Sequence, residues 1–175
     1  LIVIAQRGEE TEDPGGDDLY SVGTEVVIGR KLHMPDGTTS IWVQGQRRVK
    51  LVRYTQMQPY MAAEVSPVQE TCEMGLSTEA LMRAVLALFE KVVQYSRNIP
   101  DDAYVAAMNA SEPGWLADMV ASILELDVPK RQELLEMSDC TQRLQKISII
   151  LASELDVLEL ENRIHSQVQQ EVDKS

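Results

Sequence analysis

The segment 138–175 constrains the fold most, because it contains neither glycine nor proline. Ser138 and Asp139 are favourable N-cap residues, and apolar side chains follow them at helical spacing. A single helix over this segment would be roughly 55 Å long, which is longer than a domain of this size is wide. Its first half is apolar enough to be buried, whereas its second half is polar with a narrow apolar stripe. We therefore expect a folded head followed by a long exit helix, the arm, that leads toward another module.

Residues 1–67 are predicted to form β structure. Leu1–Ala5 is a continuous apolar run, which is typical of a strand buried on both faces. Val26 and Ile28 are alternate residues and therefore lie on the same face of a predicted strand that is buried on one side. Pro35-Asp36-Gly37 predicts a hairpin turn in which the glycine supplies a positive φ angle, and Gly45 predicts a bulge or bend. Several short strands with close turns favour a compact antiparallel barrel or sandwich.

A helical region follows the β region. Residues 68–76 are expected to be a linker, and from Ser77 the apolar period becomes helical. Ser77 or Thr78 is a suitable N-cap residue for the first of several helices in a helical subdomain at 77–137. With the arm at 138–175, the chain is predicted to be an α+β protein whose helices follow its strands.

Composition excludes several classes of function. The formal net charge of −12 argues against a general binder of nucleic acid or anionic membranes, since both require a positive field. No apolar run approaches the length of a membrane span. Cys72 and Cys140 lack motif spacing, so we expect two unpaired, small buried residues in a reducing compartment. The sequence starts with Leu1 inside an apolar run and not with Met and a polar leader. We therefore expect the chain to be a piece of a longer protein.

No catalytic chemistry is predicted within this chain. Glycines at the spacing of a phosphate-binding loop are absent, and no serine lies in a G-x-S-x-G motif. Neither His33 nor His165 has a cysteine or histidine at metal-ligand spacing. We therefore expect no catalytic, cofactor-binding or metal-binding residues, and both histidines are interpreted as ordinary surface or packing residues.

Three features are candidates for binding. The basic cluster Arg47, Arg48, Lys50 and Arg53 is either a solvated strand face or a contact for a polyanion or an acidic substrate. The methionines around Tyr60 either fill the core or form an adaptable groove, and the two tryptophans, Trp42 and Trp115, are most simply packing anchors. The candidate substrate-binding residues are Trp42, Met57, Tyr60 and Met61.

Taken together, the segments resemble the N-terminal domain of the Lon family of ATP-dependent proteases. The matching stretches are Asp18–Thr24, Met34–Thr38, Val43–Gly45 with Arg47 and Arg48, Pro113–Asp118, Lys130–Glu136, Arg143 with Leu144, and on the arm Glu154, Leu158, Glu161, Ile164 and Val168. Each piece is weak alone, but the ordered set covers essentially the whole chain.

The resemblance implies a PUA-like β subdomain at 1–67, a helical subdomain, and an exit helix leading to an AAA+ ATPase and a Ser–Lys protease module outside this chain. ATP and Mg would bind in that ATPase module, so no cofactor is expected here. The family begins with an apolar strand, a proline-rich turn and a helix before the point that matches Leu1. The β subdomain is therefore expected to be incomplete.

The function implied by the resemblance is recognition of misfolded or degron-bearing protein substrates and assembly of a hexameric protease, in the bacterial cytoplasm or in a mitochondrial matrix or other organelle. The arm is expected to contact other protomers or the next module through Leu155, Leu158, Ile164, Val168 and Val172. A stand-alone substrate adaptor without protease modules is the alternative. An RNA-binding module is a third hypothesis, disfavoured by the negative charge.

Overall fold

The computed structural model describes residues 1–174, which divide into two compact units. Unit 1 consists of Leu1–Gln69 together with Asp127–Ser138, and unit 2 consists of Glu70–Leu126 together with the chain from Asp139 onward. Unit 1 holds an antiparallel sheet, a short 3-10 helix (Gly16–Asp18) and one α-helix, and the described part of unit 2 holds four α-helices, of which the last is very long. The predicted α+β class is confirmed.

The sheet of unit 1 has four strands that pair in chain order, each antiparallel to the next. They are β1 (Ile2–Val3), β2 (Val22–His33), β3 (Thr39–Gln56) and β4 (Ala62–Pro67). Gly37 has a φ angle of +85°, which confirms the predicted turn between β2 and β3. Beside Gly45 the register shifts by one residue, so the predicted bulge is also confirmed. The strands expected on either side of Gly45 form the single long strand β3.

One helix, α4 (Val128–Glu136), belongs to unit 1 although the sequence pattern grouped it with the helices of 77–137. The Gln132 side-chain amide donates to the backbone carbonyl of Val22 at 3.0 Å, and Arg48 Nε donates to that of Leu135 at 3.0 Å. These bonds join residues about a hundred positions apart, so local periodicity could not reveal them. The division between the units therefore differs from the expected subdomain boundaries.

Unit 2 is built around the first half of its last helix. Its helices are α1 (Leu76–Tyr95), α2 (Asp102–Met108), α3 (Pro113–Ile123) and α5 (Cys140–Lys174). The expected caps of α1 are not found, because that helix begins after Gly75 and the Thr78 hydroxyl donates to the Glu73 carbonyl instead. The Asp139 carboxylate accepts from the backbone N–H groups of Thr141 and Gln142, as its position predicted.

The core of unit 2 lies where α1 and α3 pack against α5. The larger of its fully buried apolar side chains are Val85, Phe89, Val92, Leu116, Val120, Leu144, Ile147 and Leu151. Each contributes about 1.5–3 kcal/mol through removal of apolar area from water, and this burial orders the helices. Along α5 the last buried residue is Leu155, and the 35-residue helix then continues with an exposed surface. The predicted long helix is confirmed, and its course toward another module stays a prediction.

A buried arginine joins three separate stretches of unit 2. Arg143 on α5 is 0% exposed, and its guanidinium forms ion pairs with Glu70 at 2.7 Å and with Asp118 of α3 at 3.1 Å. Charged side chains are almost never fully buried unless they are paired. The connector before α1, helix α3 and helix α5 are therefore fixed to one another by a single cation.

The two cysteines are joined by a disulfide, so the expectation of two unpaired cysteines is wrong. Cys72 lies on the exposed connector, whereas Cys140 is buried at the start of α5. The backbone N–H of Cys140 donates to the carbonyl of Thr71 at 2.9 Å, which brings the two segments side by side. Their sequence separation of 68 residues concealed this pairing, and the cysteines give no support to a reducing compartment.

We expect Arg143→Met to lower the free energy of unfolding by about 3 kcal/mol, because breaking a buried ion pair leaves its partners uncompensated. The measurement is urea denaturation of the chain followed by circular dichroism. Arg83→Met is the matched control, since Arg83 is 77% exposed and forms only a surface pair with Glu79. Arg83→Met should lower the free energy of unfolding by less than about 1 kcal/mol. Equal effects of the two substitutions would contradict the structural role assigned to Arg143.

We also expect reduction of the disulfide to lower the free energy of unfolding by about 2–4 kcal/mol, because the bond restricts a long loop of the unfolded chain. Urea denaturation with and without a dithiol reductant measures the difference. Cys72→Ser removes the exposed cysteine and should make the stability independent of the reductant. A wild-type chain whose two thiols react freely under oxidising conditions would show that the bond does not form.

Candidate functional site

The longest run of consecutively exposed residues in unit 1 is the hairpin formed by residues 27–47, here called the ribbon. Every residue from Val27 to Arg47 is exposed to solvent. The pairing of β1 with β2 ends before the ribbon begins, and β4 pairs with β3 only from Val49 onward. Within residues 1–174, the two ribbon strands therefore pair only with each other. Both ribbon edges present unpaired backbone N–H and C=O groups, which makes them templates for a further strand.

The ribbon is apolar on both faces. Ile28 pairs with Val43, and after the irregularity at Gly29 the next pair is Arg30 with Trp42. Because successive residues of a strand point to opposite faces, the exposed apolar side chains divide into two sets. Val27, Leu32 and Trp42 lie on one face, and Ile28, Ile41 and Val43 lie on the other. Exposed apolar surface on both sides of one hairpin is typical of a site that another molecule covers.

Trp42 dominates this surface. Its side chain is 69% exposed, and a groove of about 650 Å³ lies beside it. The residues that line the groove are Gly29, Arg30, Leu32, Trp42, Val43 and Gln44. The sequence interpretation of the tryptophans as packing anchors is wrong for both, since Trp115 on α3 is also 52% exposed. Ile28, expected on a half-buried strand, is likewise exposed.

The ribbon carries a local positive charge in an acidic chain. It contains three cations, Arg30, Lys31 and Arg47, against one acid, Asp36. Arg47 forms an ion pair with Glu25, which leaves Arg30 and Lys31 without an ion pair in the described part of the chain. Asp36 lies in the turn, where hydrogen bonds from the side chain and then the backbone N–H of Thr38 lower its pKa.

The basic cluster predicted on β3 is distributed over separate partners in unit 1. Arg47 pairs with Glu25, Arg53 pairs with Glu64 at 2.7 Å, and Arg48 Nε donates to a backbone carbonyl of α4. Lys50 is exposed. These contacts favour the interpretation of the cluster as strand-face pairing and leave the positive charge of the ribbon to Arg30 and Lys31.

The four candidate substrate-binding residues do not form one site. Trp42 lies near the start of β3, whereas Met57, Tyr60 and Met61 lie in the turn after its end and do not line the groove. All three turn residues are exposed, the Gln58–Pro59 peptide bond is cis, and the Gln56 side-chain amide donates to the Tyr60 carbonyl. The role of these turn residues stays a prediction.

The five arm residues also occupy different environments. Leu155 is only 8% exposed and belongs to the core of unit 2, and Leu158 is half-buried. Ile164, Val168 and Val172 are exposed at a spacing of four residues, on one side of α5. Val157 and Leu160, which the sequence prediction omitted, extend this exposed stripe.

The structure adds two findings on residues 1–174. Nowhere in this range do three or more histidine, cysteine or acidic side chains gather closely enough to hold a metal ion. No helix in the same range has the length and apolar character needed to span a membrane.

Comparison with known proteins gives a consistent result. The family model of the ATP-dependent protease La (LON) substrate-binding domain matches residues 1–153. Lon protease 2 of Herpetosiphon aurantiacus is 49% identical over 175 residues, and Lon protease of Dictyoglomus thermophilum is 37% identical over 175 residues. In both cases the match covers 100% of this chain and 22% of the relative, so the chain spans about a fifth of the length of these proteins.

Solved structures show the same fold. The N-terminal domain of a Mycobacterium avium complex Lon protease has a TM-score of 0.66 at 19% identity, covering 89% of this chain and 90% of that one. A Lon N-terminal domain protein from Xanthomonas campestris has a TM-score of 0.52 at 20% identity, covering 77% of this chain and 70% of that one. With the family match over residues 1–153, these results show that the chain belongs to the family of Lon substrate-binding domains.

Proposed function

We propose that this chain is the substrate-recognition domain of an ATP-dependent Lon-type protease and that the ribbon is where it holds polypeptide substrates. The observation that carries the proposal is the combination of two open strand edges with apolar side chains on both ribbon faces. Misfolded and degron-bearing proteins expose apolar side chains and unpaired backbone groups. The ribbon offers matching groups of both kinds.

Strand addition explains how one surface accepts many sequences. An extended peptide beside a sheet edge gains main-chain hydrogen bonds that do not depend on its side chains. The apolar faces and the groove at Trp42 then add affinity wherever the peptide has a large apolar residue. Ordering a flexible peptide costs free energy, so such binding is weak and reversible. Reversibility suits a domain that must pass its substrate onward.

The remaining activities are proposed for the longer parent protein. The full-length relatives are named Lon proteases, and this chain corresponds to about a fifth of their length. We propose that the parent binds ATP and Mg in an AAA+ module, cleaves peptide bonds with a Ser–Lys dyad, and assembles as a hexamer in the bacterial cytoplasm. This chain supplies no catalytic group in that scheme.

The exposed stripe of α5 is the proposed site of assembly contacts. Ile164 and Val168 are 51% and 53% exposed, so within residues 1–174 this surface of α5 is open, and Val172 continues it at the same spacing. A narrow apolar stripe on a polar helix is typical of a seam that packs against a second helix. We propose that this seam contacts another protomer or the next module of the parent.

The ribbon proposal predicts that Trp42→Ser weakens binding of an unfolded protein by about tenfold, because large aromatic residues dominate the energy of binding surfaces. The measurement is fluorescence anisotropy of labelled, unfolded casein titrated with the chain. Trp115→Ser is the matched control, since it removes the exposed tryptophan of unit 2, which is 52% exposed against 69% for Trp42. Equal losses for the two variants, or no casein binding by the wild-type chain, would contradict the proposal.

The seam proposal predicts that Val168→Asp shifts the full-length protein toward smaller assemblies, because it places a charge in an apolar contact. Sedimentation velocity measures the distribution of assemblies. Ile149→Asp is the control, since Ile149 is an exposed apolar residue of α5 outside the stripe. If assembly is unchanged by Val168→Asp, and also by Leu158→Asp, the seam does not form.

A further inference from the structure

The two ends of the disulfide in unit 2 differ in their exposure to solvent. Cys72 lies on the connector before α1 (residues 70–75) and is exposed, whereas Cys140 is 0% exposed at the start of α5. Thiol–disulfide exchange begins when a thiolate attacks one of the two sulfur atoms, so its rate depends on access to that atom. A thiol in solution therefore reaches this bond from the Cys72 side and not from the Cys140 side.

A disulfide of this kind is unusual in the bacterial cytoplasm, which is the compartment proposed for the parent protein. Cellular thiols keep most cytoplasmic cysteines reduced, and the disulfides that do occur there are usually transient and redox-sensing. A bond with one exposed end meets that pool of thiols directly. Its accessibility and its proposed compartment therefore favour a bond that opens and closes over a permanent structural link.

We propose that Cys72 is a thiol-exchange site at which low-molecular-weight thiols open and reclose the disulfide. A thiolate RS⁻ attacks the Cys72 sulfur, the S–S bond breaks, and its electron pair leaves with the Cys140 sulfur. The product is a mixed disulfide between Cys72 and R. A second thiolate attacks the R-bearing sulfur, which releases RSSR, and the protons of the two RSH molecules end on the two cysteine sulfurs. RSSR drives the same steps in reverse and restores the bond.

The bond holds the connector against α5 together with two weaker contacts. The Cys140 N–H donates to the Thr71 carbonyl at 2.9 Å, and Glu70 pairs with Arg143 at 2.7 Å. The first N–H groups of a helix have no acceptor within that helix, so the Cys140 N–H depends on the connector for its hydrogen bond. Exchange at Cys72 removes the covalent link. The connector can then open locally while the apolar core of unit 2 stays packed.

The connector also forms one wall of an apolar groove in unit 2. Met74 and Leu76, which are 70% and 87% exposed, line a groove of about 680 Å³ together with Met82 and Leu86 of α1. Cys72 lies only two residues before Met74, so opening the disulfide removes the covalent link nearest to that wall. The redox state of Cys72 therefore influences the shape of an exposed apolar surface. This exchange does not depend on substrate binding at the ribbon, so its failure would leave the proposed function untouched.

The first test identifies the sulfur atom that is attacked. The chain is incubated with reduced glutathione and acidified to stop exchange, and its peptides are mapped by mass spectrometry. Glutathione should be found on Cys72. Glutathione on Cys140, or a bond that stays closed in a large excess of reduced glutathione, would overturn the proposal.

Single-cysteine variants measure the same difference as a rate. Cys140→Ala keeps the exposed thiol, and Cys72→Ser keeps the buried one. Oxidised glutathione should modify the exposed thiol at least about tenfold faster, because thiol reactivity depends on access. Equal rates in two variants that retain the circular dichroism spectrum of the wild-type chain would overturn the proposal. The peptide map of the wild-type chain decides the question if either variant fails to fold.

The second test separates local opening from a general loss of stability. Hydrogen exchange of single amides is measured by NMR on the oxidised and the reduced chain. Reduction should accelerate exchange of the Cys140 amide at least about tenfold more than that of the Arg143 amide, which donates to Asp139 at 3.0 Å. Equal acceleration of both amides would show that reduction weakens unit 2 as a whole. Unchanged exchange at Cys140 would show that the connector stays in place. Either result would overturn the proposed switch.

Discussion

The ion pairs of Arg143 are the interaction on which the arrangement of unit 2 depends. A buried guanidinium is costly unless its charge is compensated, and Glu70 and Asp118 provide that compensation from the connector and from α3. Glu70 comes so close to Gly114 that a Cβ atom there would lie 2.0 Å from its carboxylate oxygen. Glycine at the first turn of α3 is therefore a steric requirement of the ion pair. Two of the stretches that carry the resemblance to the Lon family, Pro113–Asp118 and Arg143 with Leu144, meet at this one cation.

Because the sheet and the helices are stabilised elsewhere, the ribbon can leave its apolar side chains unpacked. Val26 and Val49 are buried at the ribbon base, at 5% and 1% exposure, and Gln132 of α4 holds the start of β2. An isolated two-stranded hairpin is only marginally stable in water. Because the ribbon is anchored in unit 1, it can stay folded while its apolar side chains remain exposed. A free hairpin with the same exposed side chains would be only marginally stable.

Local patterns predicted the elements of this fold well and their long-range partners poorly. Asp139 and Pro35-Asp36-Gly37 act through neighbours within a few residues, so the sequence shows both the cap and the turn. The Cys72–Cys140 bond and the contacts of α4 join distant segments and leave no periodic signal. The exposure of Trp42 was missed for a different reason. An alternating strand pattern is the same whether its apolar face packs in a core or awaits a partner.

The net charge of the chain is a poor guide to what its ribbon binds. A charge of −12 disfavours acidic ligands at long range, but at physiological ionic strength exposed charges interact over only about 8 Å. A molecule at the ribbon therefore responds mainly to the charges within contact distance, Arg30 and Lys31, and much less to charges farther away than this distance.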